Sequence, residues 1–157
     1  MSVSIEIKGL NELIRVADKY PAISEKHING AINKSLIRIQ DEAKRKAPSG
    51  DTQQLRQNWI LRMGRFSGSL ESGAKRNGYS YGLAVEYGTK PHFVPVANNP
   101  MFRLWAERRG LNPWAVSKSI SKKGTRAKPF FKPAIDSQKA NIDREFDRAF
   151  TNLMNDL

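Results

Sequence analysis

The sequence predicts an α+β fold, an antiparallel sheet packed by a long helix from the N-terminal half and by a C-terminal helix, with a basic and partly helical insertion. Three observations carry this expectation. Apolar residues recur at helical spacing in two long stretches, one starting at Ile23 and one at Ile135. Between them, shorter stretches alternate apolar with polar residues and are split by Asn77-Gly78, the dipeptide most typical of a tight hairpin turn. Residues 90–132 then carry ten lysines and arginines against one acid, Glu107, and mix prolines with short helix-like runs.

Taken in order, Val3, Ile5 and Ile7 alternate with Ser4, Glu6 and Lys8, and this predicts a short first strand broken by Gly9. Leu10, Leu13, Ile14 and Ala17 follow at helical spacing. Their helix should end near Lys19, because Pro21 pushes Tyr20 out of helical geometry. From Ile23, the positions Ile28, Ala31, Ile32, Leu36, Ile39 and Ala43 trace one face of a long helix, which Pro48, Ser49 and Gly50 stop. Gly30, inside that helix, either weakens it by about 1 kcal/mol relative to alanine or admits a close backbone neighbour, and packing is the favoured explanation.

Residues 55–63 alternate as a strand, with a helical start before Trp59 as the alternative. Residues 64–68 read as a loop and 69–75 as a weak strand. Tyr79, Tyr81, Leu83, Val85 and Tyr87 alternate most cleanly of all, so an antiparallel meander ending at Gly88 is expected. Residues 90–128 form an insertion within a single domain spanning 1–157, with helices over 100–109 and 113–123. The apolar stripe Ile135, Ile142, Phe146, Ala149, Phe150, Leu153 and Leu157 predicts a terminal helix packed on the sheet.

A length of 157 residues suits one domain with a modest core. The chain has no cysteine, which removes disulfides and thiolate metal sites and leaves stability to packing or assembly. No apolar run approaches the roughly 18 residues needed to cross a bilayer, and the first ten residues lack the pattern of a secretion signal, so no membrane partner is expected and synthesis in the cytoplasm is. A formal charge of +12 creates a field that attracts polyanions. A solvated basic face or an acidic protein partner accounts for it equally well.

Chemistry was sought among the titratable residues. The two histidines, His27 and His92, stand in no metal-ligating spacing. His92 with Glu86 is the single acid/base pairing that can be drawn, and an exposed or satisfied histidine is the commoner case. The glycines match no phosphate-binding loop, and Asp143, Glu145 and Asp147 read as helix surface. Neither an enzyme nor a cofactor is expected. Phe102, Trp105, Trp114, Phe130 and Phe131 lie amid arginines and lysines, as a platform for single-stranded bases would, although Trp105 is better read as the plug of a small helical core. Residues 121–128 read as an exposed basic loop whose truncation over 125–128 should leave the fold intact and impair assembly.

Four pieces, in order, resemble a family of tailed-phage tail-completion, neck or head–tail joining proteins. They are Ile5-Glu6-Ile7-Lys8-Gly9-Leu10-Asn11-Glu12-Leu13, then Ala43-Lys44-Arg45-Lys46-Ala47-Pro48 with Gly50-Asp51-Thr52 and Leu55-Arg56, then Ala84-Val85-Glu86-Tyr87-Gly88-Thr89, and finally Pro129-Phe130-Phe131-Lys132-Pro133-Ala134. The sequence departs from the family where Gln53 stands in place of the glycine often found after the threonine. The resemblance implies a virion protein at the head–tail junction, a homo-oligomeric ring that completes the DNA channel. It also implies a portal-side connector or head-closure protein on one face, a tail terminator or tail tube protein on the other, and transient contact with phage DNA. Glu86, Thr89, Lys122, Lys123, Arg126 and Lys128 are the candidate intersubunit or DNA-facing residues, with turn formation and solvation as the alternative. A non-specific nucleic-acid-binding protein is the second reading.

Overall fold

The fold is described from a computed structural model over residues 2–3, 10–48, 53–76 and 79–157. Helix α1 (Leu10–Lys19) ends where expected, and α2 (Pro21–Lys46) starts immediately after it. Pro21 opens α2 at a position whose backbone N–H has no helical partner in any case, so the residue that stops one helix begins the next. The buried face of α2 carries Ile28, Ile32, Leu36, Ile39 and Ala43. Gly30 is not a packing site: a methyl group there meets nothing within 4 Å.

The structure replaces the start of the strand expected over 55–63 with a single helical turn, α3 (Gln54–Gln57). Its Leu55 is buried in the core, and its Arg56 guanidinium donates to the Ala47 carbonyl at 3.1 and 3.2 Å, which fastens the turn to the end of α2. Strand β2 (Trp59–Gly64) pairs antiparallel with β3 (Ser67–Ser72) from Trp59↔Ser72 to Gly64↔Ser67, so the loop expected over 64–68 shrinks to Arg65 and Phe66. The Asn29 side chain of α2 accepts the Phe66 N–H at 3.0 Å and ties down that turn. Strand β1 (Ser2–Val3) adds to the other edge of β3 in the order β1-β3-β2, while the rest of the expected first strand lies outside the described residues. The short strands β4 (Lys75–Arg76) and β5 (Tyr79–Ser80) pair Arg76 with Tyr79, which brackets the Asn77-Gly78 turn, itself outside the described residues.

The largest departure is α4 (Tyr81–Tyr87), a helix where alternation predicts the best strand. A strand would bury Tyr81, Leu83, Val85 and Tyr87 together. The helix instead buries Gly82 and Glu86, four residues apart on one face, and leaves Tyr81, Leu83 and Tyr87 exposed. Helices α5 (Pro100–Glu107) and α6 (Pro113–Lys123) occupy the predicted insertion, each with proline at its start and an asparagine cap. The Asn99 side chain accepts from the Phe102 N–H, and that of Asn112 accepts from Trp114 and Ala115. Ala106, Val96 and Ser117 are the buried residues of this excursion, and the Ser117 hydroxyl donates to the Val94 carbonyl at 2.7 Å.

Helix α7 (Phe131–Asn155) was expected against the sheet, but it lies along α2, and α2 in turn carries the sheet. Arg38 of α2 pairs with Glu145 at 2.9 Å, so Glu145 is buried rather than part of the helix surface. At the far end of α7, His27 meets Asp156 at 2.7 Å. The predicted apolar stripe is narrower than its sequence span, because Phe150 and Leu157 remain exposed. No helix among the described residues is long and apolar enough to cross a membrane.

Candidate functional site: a basic, aromatic groove

The excursion formed by residues 90–124 begins and ends at one antiparallel bridge. Thr89 and Thr125 exchange backbone hydrogen bonds of 3.1 and 3.2 Å, and their hydroxyls lie 2.9 Å apart. Gly88 (φ 74°) and Gly124 (φ 71°) flank the bridge in left-handed conformations, and a side chain on either would drive into the opposite strand's backbone. The Lys128 N–H then donates to the Val85 carbonyl at 2.8 Å, so the returning chain is laid along α4.

Glu86, on the inner face of α4, is 2% exposed. One of its carboxylate oxygens accepts the backbone N–H groups of Phe130 and Phe131 at 2.8 and 2.9 Å, and the other accepts that of Lys132 at 2.9 Å. These amides open α7, where no earlier residue of the helix can satisfy them and where the helix dipole favours negative charge. Phe130 and Phe131 themselves are fully buried against Trp59, with ring centroids 6.4 and 5.4 Å away. Glu86 is therefore an internal clamp. It makes no acid/base pair with His92, whose Nδ1 lies 2.9 Å from the Lys90 carbonyl and 3.3 Å from the Thr89 hydroxyl.

Above the clamp runs a groove of about 1180 Å³ between α4, the segment after Thr89, and the two excursion helices. Its aromatic lining includes Tyr79, Tyr81, Phe102 and Trp105. Phe102 stacks on Trp105 with centroids 5.8 Å apart, and the Arg109 guanidinium lies over the Trp105 ring at 5.0 Å. Trp105 is thus shared between packing and the groove wall and does not fill the excursion's core alone. Lys90, Arg126 and Lys128 supply positive charge along the rim, and no acid is among the described lining residues.

The six candidate residues consequently part company. Thr89, Arg126 and Lys128 line the groove, and Glu86 lies beneath it, holding α7. Lys122 and Lys123 are exposed on the last turn of α6, which is helix up to Lys123 and not the loop that composition suggests. Removing residues 125–128 would cut both the Thr89 bridge and the bond to Val85, so the truncation would strain the start of α7 and could not leave the fold untouched. Sequence reasoning missed Tyr79 and Tyr81 as groove residues, because both were assigned to a strand, whereas Phe102 and Trp105 already stood among the aromatics set amid arginines and lysines.

The described parts of three of the four pieces behind the resemblance, at Ala47 with Arg56, at Glu86 and at Phe130 to Lys132, are tied together here. Arg56 reaches the end of α2, Trp59 covers Phe130 and Phe131, and Glu86 binds the amides of Phe130, Phe131 and Lys132. Residues 11–88 match the model of a family described as "Bacteriophage HK97-gp10, putative tail-component". The match runs from α1 to the glycine at the base of the excursion, and so leaves the excursion and α7 outside it. No curated protein and no solved structure matches the chain.

Proposed function

The chain belongs, through residues 11–88, to the HK97-gp10-like family of phage tail components, and on that premise we propose that it forms a homo-oligomeric ring joining the capsid portal to the tail. Its role is structural, in the tail or neck of the virion. The family match carries this reading. In it, the ring completes the channel that DNA crosses, meets a portal-side connector or head-closure protein on one face, and meets a tail terminator or tail tube protein on the other. No reaction and no cofactor is assigned to the chain. Physical support comes from exposed aromatic side chains: Tyr79, Tyr87, Phe93 and Trp114 are each more than 60% exposed, apolar area that an assembly can cover.

Electron microscopy of particles from an infection lacking the gene, with a complemented control, tests the role. DNA-filled heads beside separate tails, rejoined on complementation, are the expected outcome. Intact virions without the protein would overturn it. The exposed cations Lys122, Lys123, Arg126 and Lys128, which have no carboxylate partner among the described residues, favour a second reading as a non-specific DNA-binding protein. Tight duplex binding by the isolated chain, with log affinity falling steeply against log salt, would select that reading.

A further inference from the structure

Helix α7 exposes a second surface along its C-terminal half, whereas the groove lies by its start. Asp143, Asp147, Phe150 and Met154 follow one another at spacings of four, three and four residues, so they form one stripe on the helix side turned away from α2. Phe150 and Met154 are about half exposed. Neither aspartate has an ion-pair partner among the described residues, whereas Asp136, further up the same face, is paired with Lys139 at 3.1 Å. The stripe is thus acidic at one end and apolar at the other. The groove is its chemical complement, with aromatic walls from Tyr81, Phe102 and Trp105 and a rim of Lys90, Arg126 and Lys128.

A single chain cannot satisfy both surfaces by itself. The groove is built around the start of α7, where Lys128 and Glu86 hold the chain, and at 1.5 Å per residue Phe150 lies about 28 Å along a continuous helix from Phe131. Two copies each carrying +12 repel one another, so contact between copies has to place opposite charges together locally. We propose that the α7 stripe Asp143-Asp147-Phe150-Met154 of one copy docks into the basic aromatic groove of the next, with the aspartates against Arg126 and Lys128 and the apolar residues against Tyr81 and Phe102. Such a contact is head-to-tail, the class that closes into rings. The inference rests on the proposed ring and specifies which faces of neighbouring copies meet.

Because the chain has no cysteine, introduced pairs report the contact directly. Phe150→Cys and Tyr81→Cys replace exposed side chains, so the double variant should fold, and the aspartates and cations it keeps are expected to hold it in the virion. Mild oxidation of purified virions is expected to link it into a ladder extending beyond dimers, with neither single variant doing so. Virions that contain the double variant but yield no ladder would overturn the docking while leaving the ring in place. Absence of the parent protein from purified virions would overturn the ring reading and the docking with it. Charge reversal gives an independent readout. Asp143→Lys with Asp147→Lys, or Arg126→Glu with Lys128→Glu, should each lower the yield of infectious particles roughly tenfold or more, and combining the four should recover it. Failure of the combination to recover, with all variants folded, would also overturn the pairing.

Discussion

Glu86 shows how one side chain ties distant parts of this chain together. It lies 44 to 46 residues before the three amides it accepts from, and it is closed off from solvent. Replacing it by alanine leaves those N–H groups, two of them on buried phenylalanines, without acceptors. Hydrogen bonds to a charged group contribute more than neutral ones, so Glu86→Ala is expected to cost about 3 kcal/mol, and Glu86→Gln, which keeps one acceptor oxygen, less. Urea unfolding of the two variants against the parent chain checks both the size and the order of the effects, and equal stability of all three would rule out the clamp. The sequence drew attention to Glu86 through the motif around it, but for a contact with other molecules. Its partners lie too far along the chain for any local spacing to show them.

At the scale of elements, the helices with long or well-capped patterns were legible. The ends of α1 and α2 followed from Pro21 and Pro48, and the starts of α5 and α6 from Pro100 and Pro113. Helix α4 was not, because seven residues span barely two turns and Tyr79, Tyr81, Leu83, Val85 and Tyr87 happen to alternate. What decides between helix and strand there is the need to turn Gly82 and Glu86 inward on the same face. Gly30 raises a simpler question in α2. With open space around it, alanine there removes the backbone freedom that glycine has in the unfolded chain and adds no clash, so Gly30→Ala should raise stability by about 0.5 to 1 kcal/mol. Thermal unfolding would register this as an increase in Tm, and a decrease would mean that a neighbour does approach that position.

For the whole molecule, the packed body consists of α2, α7 and the sheet, and the excursion of residues 90–124 stands on the Thr89–Thr125 bridge with buried residues of its own. Exchanging that excursion for an Asn-Gly turn should therefore leave one cooperative thermal transition, with Tm changed by only about 5 °C, while removing the groove and the ability to assemble. Circular dichroism melting checks the first expectation and particle complementation the second. A broad, non-cooperative melt would show that the excursion is part of the main core. The net charge follows this division only in part, since residues 90–124 carry seven of the 27 cations and one acid, Glu107.

The sequence by itself determined the α+β class, five of the helices, the β2–β3 hairpin, the concentration of charge after Gly88, and the motifs that mark a phage tail component. All of these are written in local periodicity, in proline signals, or in composition. Tertiary structure alone decided that residues 81–87 are helical, that α7 lies on α2, that Glu86 faces inward, and that Tyr79, Tyr81, Phe102 and Trp105 line one groove. The physical reason is range: local pattern reports how often a residue meets the core, whereas these features depend on which distant backbone or ring it meets there.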